Sequence, residues 1–245
     1  MATLTLKNVS VDFPVFSSKS RSFKQRLLSL STGGRIIGDT STTVIRALSE
    51  LNLNIIDGER VALVGHNGCG KTTLLRVLSG IYTPSSGSYH ANGRISTLID
   101  ITLGMDFELT GLDNIHLRAT LMGLTVTETK SHLSEIIEFS ELGGFINFPM
   151  RTYSSGMQMR LAFAVSTVLQ PEVLLMDEWL SVGDASFVSK AETRLKSVVD
   201  AANILVIATH SPGLVEAVCN RVVWLEHGEI IADGKPSEIL KHVFC

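Results

Sequence analysis

The stretch Gly65-His66-Asn67-Gly68-Cys69-Gly70-Lys71-Thr72 decides the fold, because it fits the pattern G-x-x-x-x-G-K-[ST] at every fixed position. The apolar run RVALV precedes it and the helix-like run TTLLRVL follows it, which is the strand–loop–helix context that the pattern requires. Glycines let such a loop approach phosphates with its amide N–H groups pointing inward, and the helix start adds partial positive charge. A glycine-rich turn that binds nothing would not need all of these elements. The stretch, called the P-loop below, therefore predicts a nucleoside-triphosphate site.

Three side chains of the P-loop have chemistry of their own. We expect Lys71 to reach the β- and γ-phosphates and the Thr72 hydroxyl to bind Mg²⁺. A helix start lowers the pKa of a thiol, so we predict that alkylation of Cys69 blocks nucleotide binding. The predicted ATP-binding residues here are Gly65, His66, Asn67, Gly68, Cys69, Gly70, Lys71, Thr72 and Thr73.

Two later apolar runs, VLLMD and ILVIAT, end next to polar side chains: Asp177 and Glu178 after the first, and His210 after the second. The carboxyl ends of parallel strands face one crevice, so we expect these residues to meet the P-loop. Asp177 is predicted to hold Mg²⁺ through water, and Glu178 to orient or deprotonate an attacking water, an effect worth roughly 10²–10⁴-fold in rate. His210 is predicted to sense the γ-phosphate. The plainer alternatives are a solvated acidic pair and a structural histidine.

The apolar pattern of the whole chain predicts an α/β fold. Residues 4–13 alternate in polarity, as in an antiparallel or edge strand, and residues 51–56 form another strand before the Asp57-Gly58 turn. Residues 106–149 have a helical pattern with capping-box starts at Thr110 and Thr125. Strands that alternate with helices predict a mainly parallel sheet, interrupted here by a helical insert.

Composition sets the limits of the interpretation. The 245 residues are 44% hydrophobic and 18% charged, which indicates a globular chain, and the net charge of −3 offers no basic face for nucleic acid. Cys69, Cys219 and Cys245 have no metal-ligand spacing, which suits a reducing compartment. We find no apolar run near the ~18–20 residues needed to cross a bilayer. Any membrane role is therefore expected to depend on a partner.

The segment Tyr153-Ser154-Ser155-Gly156-Met157, read together with the P-loop and Asp177-Glu178, resembles the nucleotide-binding subunits of ATP-binding-cassette (ABC) transporters along essentially the whole chain. The resemblance implies one ABC nucleotide-binding domain over residues 1–245, a P-loop NTPase fold of the α/β class. Its RecA-like, mainly parallel core and antiparallel β-subdomain would comprise residues 1–97 and 165–245, with a basic insertion at 17–43. Residues 98–164 would form the helical subdomain that contains the 153–157 segment.

Segment 153–157 occupies the place of the family's signature motif, LSGGQ, but has Tyr, Ser and Met where that pattern has Leu, Gly and Gln. The resemblance implies a head-to-tail dimer, in which the signature of one copy closes over ATP held by the P-loop of the other. We expect Ser154, Gly156 and backbone amides to contact the γ-phosphate in trans. The signature residues are Tyr153, Ser154, Ser155, Gly156 and Met157.

Further site residues follow from the resemblance alone. Asp184 lies where the family's D-loop follows the Mg²⁺-binding strand, and we count it as catalytic with Glu178, His210 and Lys71. Phe13 is the expected aromatic partner of adenine, and Phe16 is the alternative.

The glutamine of the family's Q-loop has no counterpart, because no Gln occurs between Lys71 and Gln158. Asp100 lies near its place, as a metal or water ligand or, alternatively, as a solvated or capping residue.

Residues around the motifs indicate a subfamily. YSSGMQMRLAFAV, LMDEWLSVGDASF, ELTGLDNI and the insertion after PVFSS resemble bacterial exporters of lipid-linked polysaccharides, above all the O-antigen type. The resemblance implies ATP and Mg²⁺ as cofactors, a second copy of the chain and two copies of a multi-spanning permease that handles the lipid-linked polysaccharide. It places the chain at the cytoplasmic face of the bacterial inner membrane, with a permease helix resting near residues 101–114.

Some exporters of this type have a C-terminal carbohydrate-binding domain, and we expect none in a chain that stops at Cys245. The alternative functions are the ATPase of a capsule, teichoic-acid or drug exporter, or of an importer. A soluble ABC protein acting on ribosomes or DNA is a further alternative, but those proteins usually have two cassettes or a long coiled-coil insert.

The insertion at 17–43 contains a short basic amphipathic pattern. Phe23, Leu27 and Leu30 recur at helical spacing, with Arg21, Lys24 and Arg26 between them. Two interpretations stay open at this point. The helix either packs at the membrane face near anionic headgroups or the permease, or it is a surface helix or mobile loop.

Overall fold

The computed structural model describes residues 1–15, 35–37, 43–178 and 185–243. The chain divides into two compact units. The first unit consists of Met1–Ile95, Leu175–Glu178 and Asn203–Cys245, and the second unit of Ser96–Leu174 and Trp179–Ala202. The predicted amphipathic helix of the insertion lies outside the described residues.

The described residues form ten strands and seven α-helices. The strands are β1 (Thr3–Val15), β2 (Arg35–Ile37), β3 (Thr43–Ile56), β4 (Arg60–Val64), β5 (Ser86–Asn92), β6 (Ile95–Leu98), β7 (Val173–Asp177), β8 (Ile204–Ala208), β9 (Arg221–Glu226) and β10 (Glu229–Gly234). The helices are α1 (Lys71–Leu78), α2 (Gly111–Leu121), α3 (Val126–Ser140), α4 (Ser155–Ser166), α5 (Ala185–Ala201), α6 (Pro212–Val218) and α7 (Pro236–Val243). None of these helices combines the length and apolar character needed to cross a bilayer.

One sheet of the first unit is antiparallel, with the strand order β2-β3-β1-β5. β1 pairs antiparallel with β3 on one side and with β5 on the other. The apolar residues Leu4, Leu6, Val9 and Val11 are buried. This arrangement confirms the antiparallel strand predicted from the alternating pattern, and it places β1 inside the sheet.

The other sheet has the order β10-β9-β4-β8-β7-β6, with most of β6 and the start of β7 assigned to the second unit. β4 runs parallel to both β8 and β9, and β10 closes the edge as an antiparallel hairpin partner of β9. All five residues of β8 and four of the five in β4 are buried, as expected for strands covered on both faces. The predicted mainly parallel core is confirmed.

The second unit is largely helical. Thr110 and Thr125 each cap a helix through a reciprocal capping box, at the start of α2 and α3, so both predicted helix starts are confirmed. Phe139, Phe163 and Phe187 pack together with ring centroids 5.4–6.2 Å apart and stabilise this unit from within.

Candidate functional site

A cavity of about 340 Å³ in the first unit lies where β4, β7 and β8 end. The P-loop, the start of α1, the ends of β7 and β8 and part of β3 line it. The lining residues are Ile45, Ala47, Asn67, Gly68, Gly70, Lys71, Thr72, Thr73, Asp177, Glu178 and His210. Six of the nine ATP-binding residues predicted around the P-loop therefore line one cavity with the three predicted strand-end residues. The other three are Gly65, His66 and Cys69.

Lys71 is buried, and its ammonium is bound by the P-loop itself. Its Nζ donates to the carbonyl oxygens of Gly65 at 2.7 Å and His66 at 3.1 Å. A buried charge needs such partners, because leaving it without them costs several kcal/mol. The ammonium is thus already held within the loop, where an incoming phosphate oxygen would replace one of these acceptors.

Two P-loop glycines are required by close packing. Gly65 has φ +140° and Gly70 has φ +114°, both in the region that L side chains rarely adopt. A Cβ on Gly65 would lie 2.1 Å from the carbonyl oxygen of Leu225 in β9, and one on Gly70 would lie 2.9 Å from that of Ala47 in β3. The glycines thus let the loop pass between two strands, in addition to the phosphate approach expected from the sequence.

Asp177 and Glu178 end β7 at the cavity. The Thr72 hydroxyl donates to Asp177 Oδ2 at 2.6 Å, which joins the start of α1 to the end of β7. Glu178 is exposed with φ +68°, and its N–H donates to the carbonyl of Ala208 at 2.8 Å. The buried Thr209 hydroxyl contacts Glu178 Oε2 at 3.4 Å. Sequence reasoning missed Thr209, because a threonine before a histidine has no signal of its own.

His210 follows β8, is exposed and lines the same cavity. The structure thus brings five predicted residues together, although the catalytic role of each stays a prediction. They are Lys71, Thr72, Asp177, Glu178 and His210.

The expected pKa of Cys69 is wrong in direction. The thiol is fully buried within the P-loop, and burial raises its pKa above the ordinary value, although the nearby Lys71 acts in the opposite sense. Desolvation of the thiolate outweighs the helix start, because the neutral thiol is the form that an apolar environment favours. The expectation that alkylation blocks nucleotide binding is a separate one and stays a prediction.

Phe13 lies beside the cavity and is absent from its lining. It pairs directly with Ile45 across β1 and β3, so the two side chains share one face of the sheet, and Ile45 lines the cavity. Phe13 is 37% exposed, and its ring packs against the Tyr82 ring in a T-shaped arrangement with the centroids 5.5 Å apart. Its role toward adenine stays a prediction, and the alternative, Phe16, is outside the described residues.

The signature segment begins α4 in the second unit. Ser154 is the N-cap residue, and its hydroxyl accepts a hydrogen bond from the Met157 amide at 3.2 Å. Ser154 and Ser155 are exposed, whereas Tyr153 is buried and donates to the carbonyl of Phe145 at 2.7 Å. The segment is therefore a helix start with serines toward solvent, anchored from behind by its tyrosine.

Asp100 and Asp184 are the two remaining acidic residues that were predicted for the site. Asp100 belongs to the second unit, where its carboxylate accepts from the amide and hydroxyl of Thr102 at 3.2 and 2.9 Å. These bonds fit a capping aspartate, and the role of Asp100 toward a metal ion or water stays a prediction. Asp184 lies outside the described residues.

Comparison with solved structures identifies the fold. The chain matches a dimeric ATP-binding cassette, MJ0796, in a post-hydrolysis state with ADP and phosphate, with a TM-score of 0.66 and 22% identity over 95% of this chain and 98% of that one. It also matches the ATP-binding subunit of an ABC transporter, with a TM-score of 0.68 and 20% identity over 97% and 92% of the two chains. At these identities the likeness shows the fold alone, and it agrees with the predicted fold class.

Comparison with known sequences identifies the family. Relatives of this chain include the O-antigen export system ATP-binding protein RfbE of Yersinia enterocolitica, which is 45% identical over 96% of this chain and 98% of that protein. They also include RfbB of Myxococcus xanthus, 42% identical over 98% of this chain and 55% of RfbB, and the teichoic acids export protein TagH of Lactococcus lactis, 40% identical over 79% and 41%. This chain thus spans about half the length of these last two. The family model described as ABC transporter matches residues 48–181, and the chain belongs to the ABC transporter family.

Proposed function

We propose that this chain is the ATP-hydrolysing subunit of an exporter that moves a lipid-linked polysaccharide of the O-antigen type across the bacterial inner membrane. The observation that carries the proposal is the 45% identity to RfbE, which extends over 96% of this chain and 98% of that protein. Three of the segments that indicated this subfamily lie between residues 108 and 187, within the family match at 48–181 or directly after it.

We assign the whole chain to a single nucleotide-binding domain, with its core at 1–97 and 165–245 and its helical part at 98–164. The family match at 48–181 includes the P-loop, the signature segment and Asp177. The first compact unit supports the proposed core over residues 1–95, 175–178 and 203–245. The second unit supports the helical part at 98–164, and it also includes residues 165–174 and 179–202 of the proposed core.

In the proposed mechanism ATP binds with its phosphates in the cavity of the first unit. The backbone of Gly68 and Gly70 and the start of α1 line this cavity, so amide groups and the helix dipole favour negative charge there. Lys71, held by the carbonyls of Gly65 and His66, turns toward the β- and γ-phosphates. Binding therefore replaces contacts inside the P-loop with contacts to the nucleotide.

Thr72 and Asp177 fit a Mg²⁺ ion. Mg²⁺ prefers hard oxygen ligands, and the hydroxyl and carboxylate oxygens of these residues already lie 2.6 Å apart. We assign Thr72 as a direct ligand and Asp177 as a ligand through water. When bound, the ion neutralises charge on the β- and γ-phosphates.

Glu178 is the proposed general base. Its backbone amide is fixed to Ala208 and its carboxylate contacts the Thr209 hydroxyl, so it stands at the cavity wall with His210 on the next strand. The carboxylate accepts the proton of the attacking water, a contribution of roughly 10²–10⁴-fold. His210 holds the γ-phosphate from the rim, and Asp184 is assigned to the same reaction.

A second copy of the chain completes the site in this proposal. Gly156 supports it, because a Cβ at this position would meet only the Ser154 hydroxyl, at 3.9 Å, among the described residues. Local packing thus leaves room for a side chain, and a glycine fits a position that another molecule approaches closely. We assign that molecule as ATP on the P-loop of the partner copy, bound by Ser154 and the start of α4.

The permease is the proposed membrane partner, in two copies, with this chain at the cytoplasmic face of the inner membrane. Apolar side chains are exposed in the second unit at the place expected for a permease helix. Leu103 is 55% exposed, Phe107 42% and Leu109 37%. A partner helix with apolar residues at its contact face would cover them.

The experiment tests whether export depends on this chain and identifies the polymer that is exported. In a strain without the native gene, the wild-type chain restores surface polysaccharide and Glu178→Gln does not, although both variants co-purify a multi-spanning protein from detergent-solubilised membranes. The polymer that accumulates with Glu178→Gln is then analysed. Sugar repeats on a lipid carrier support O-antigen export, whereas a polyol-phosphate backbone would replace it with teichoic-acid export, which the TagH relatives favour. Purification with ribosomes and without a membrane protein would overturn the export proposal.

A further inference from the structure

A cluster of two histidines and a glutamate joins the P-loop to the end of β9 and the turn that follows it. One ligand atom each of His66, Glu226 and His227 lies within 4.8 Å of the others. None of these atoms belongs to the residues that line the nucleotide cavity. The cluster is therefore a second candidate site of the first unit, next to the first one.

The backbone builds this cluster from two parallel strands. β4 and β9 pair with Val64 opposite Trp224. Two residues beyond this pair lie His66, in the P-loop just after β4, and Glu226, the last residue of β9. His227 and Gly228 then form the two-residue turn to β10, with positive φ at both positions, as a type I′ turn requires. The three side chains are thus placed by sheet register and a tight turn.

Hydrogen bonds attach this turn to the P-loop. The Gly228 amide donates to the carbonyl of Cys69 at 2.9 Å, and the Gly228 carbonyl accepts from the amide of Ser49 at 2.8 Å. The backbone of the β9–β10 turn is therefore bonded both to the P-loop and to β3.

His66 is prepared to act as a ligand. Its Nδ1 lies 2.8 Å from the carbonyl oxygen of Asn67, which only accepts, so Nδ1 has the proton. The neutral ring then has its lone pair on Nε2, which is shielded from solvent and has no hydrogen-bond partner among the described residues. Metal-binding histidines usually donate their other N–H to a carbonyl or carboxylate in this way. A buried polar atom without a partner is unfavourable, and a metal ion would satisfy it.

The donor set selects a transition metal. Two imidazole nitrogens and one carboxylate oxygen form a set typical of Zn²⁺, with a position left for water, whereas Mg²⁺ and Ca²⁺ prefer sites made of oxygen. The His66 and His227 rings also contact each other, with centroids 5.1 Å apart, but ring packing alone leaves His66 Nε2 without a partner. We infer that His66, Glu226 and His227 bind a divalent transition-metal ion of the zinc class, which ties the P-loop to the β9–β10 turn.

The test is Zn²⁺ titration of the chelator-treated full-length chain by calorimetry, without nucleotide and with millimolar Mg²⁺ present to occupy hard oxygen sites. Wild type is expected to bind about one Zn²⁺ per chain and to show a higher melting temperature with Zn²⁺. His227→Asn removes a ligand and keeps a residue that tolerates positive φ. Glu226→Gln removes the carboxylate charge and leaves the turn intact. Each is expected to weaken Zn²⁺ binding at least about tenfold.

His90→Asn is the matched control, because His90 is an exposed histidine of β5 in the same unit and lies outside the cluster. It is expected to bind Zn²⁺ as wild type does. Glu178 and His210 also offer ligand atoms, so the loss in the two cluster variants relative to His90→Asn is the deciding quantity. Equal Zn²⁺ affinity in all variants, or no stoichiometric binding to wild type, would overturn the inference. Circular dichroism of each variant separates loss of the site from loss of the fold.

Discussion

The hydroxyl of Thr72 donates a 2.6 Å hydrogen bond to the carboxylate of Asp177, although 105 positions separate the two residues in the sequence. The contact joins the first turn of α1 to the last residue of β7, so the P-loop helix and the strand that ends in Asp177-Glu178 are fixed to each other. Both oxygens lie at the cavity, where we propose that they hold Mg²⁺. The contact thus connects the stability of the site to its chemistry.

Replacement of the Thr72 hydroxyl tests this connection. Thr72→Val keeps the shape of the side chain but removes the donor and the proposed metal ligand, so we expect ATP hydrolysis to fall by about 10²-fold. Loss of the hydrogen bond should also lower the free energy of unfolding by about 1 kcal/mol. Thr72→Ser, which keeps the hydroxyl, is the control and should retain most of the activity. Steady-state hydrolysis and urea denaturation measure both effects, and equal activity of the Val and Ser variants would remove Thr72 from the metal site.

The P-loop and the strand-end residues were predictable because their signals are local. A complete motif, a buried strand before it and a helix after it predict the loop. The run VLLMD ends at Asp177 and the run ILVIAT ends just before His210, and parallel strands end at one edge of a sheet. The capping boxes at Thr110 and Thr125 are equally local, since each is made within four residues.

The remaining features depend on pairing between distant segments. Ile45 and Ala47 line the cavity through the register of β1 with β3, which shifts at bulges that no sequence rule predicts. β5 is polar and mostly exposed, so its residues have no apolar pattern to reveal it. The predicted direction of the Cys69 pKa shift was wrong for the same reason, because a helix start is visible in the sequence and burial by packing is not. Tertiary contacts decide these features.

Glu178 has a backbone conformation that is unfavourable for its residue type. Its φ of +68° is left-handed, which costs roughly 1–2 kcal/mol for any residue with a Cβ, whereas glycine adopts it freely. We expect Glu178→Gly to be more stable than Glu178→Ala by up to about 1 kcal/mol, after the greater freedom of glycine in the unfolded chain is subtracted.

Chemical denaturation of the two variants gives the difference directly. Both lack the carboxylate and should lose hydrolysis alike, so the comparison isolates the backbone. A Glu178→Ala variant that equals or exceeds Glu178→Gly in stability would show that the surrounding structure relaxes the strain.

The buried thiol of Cys69 gives a pH-dependent prediction. The thiolate is the reactive form, and burial raises the pKa of Cys69, so little thiolate exists near neutral pH. In the native chain, alkylation of Cys69 by N-ethylmaleimide should be slow at pH 7 and should rise by about tenfold per pH unit up to pH 9, without a plateau. Unfolding in urea should accelerate it.

Peptide mapping by mass spectrometry resolves Cys69 from Cys219, whose pKa burial raises to about 12. Chains alkylated at Cys69 are expected to have lost ATP binding, because the adduct would occupy the packed loop, and Cys69→Ala should bind ATP and resist the reagent. A rate at Cys69 that is already maximal at pH 7 would indicate a lowered pKa. Normal ATP binding after complete modification of Cys69 would separate the thiol from the site.

Gly156 and Gly111 form a matched pair for the proposed action in trans. A Cβ on Gly156 meets only the Ser154 hydroxyl at 3.9 Å, whereas one on Gly111 would lie 2.3 Å from the Tyr153 hydroxyl, which anchors the signature segment. Gly156→Ala should therefore keep or raise the free energy of unfolding by up to about 1 kcal/mol, since alanine favours a helix. Gly111→Ala should lower it by about 1–3 kcal/mol, as overpacking does.

ATP hydrolysis is expected to show the opposite order, because Gly156→Ala should lose activity although it keeps its stability. Gly156→Ala places a methyl group where the phosphates of the ATP on the partner copy would lie. ATP hydrolysis should therefore fall at least about tenfold although the fold is intact, because contacts to the transition state are lost. ATP binding to the P-loop of the same chain should be unchanged, because Gly156 is not among the residues that line the cavity. Hydrolysis rates, nucleotide titration and denaturation of both variants supply the measurement. Wild-type hydrolysis by Gly156→Ala would mean that the signature segment does not meet the nucleotide.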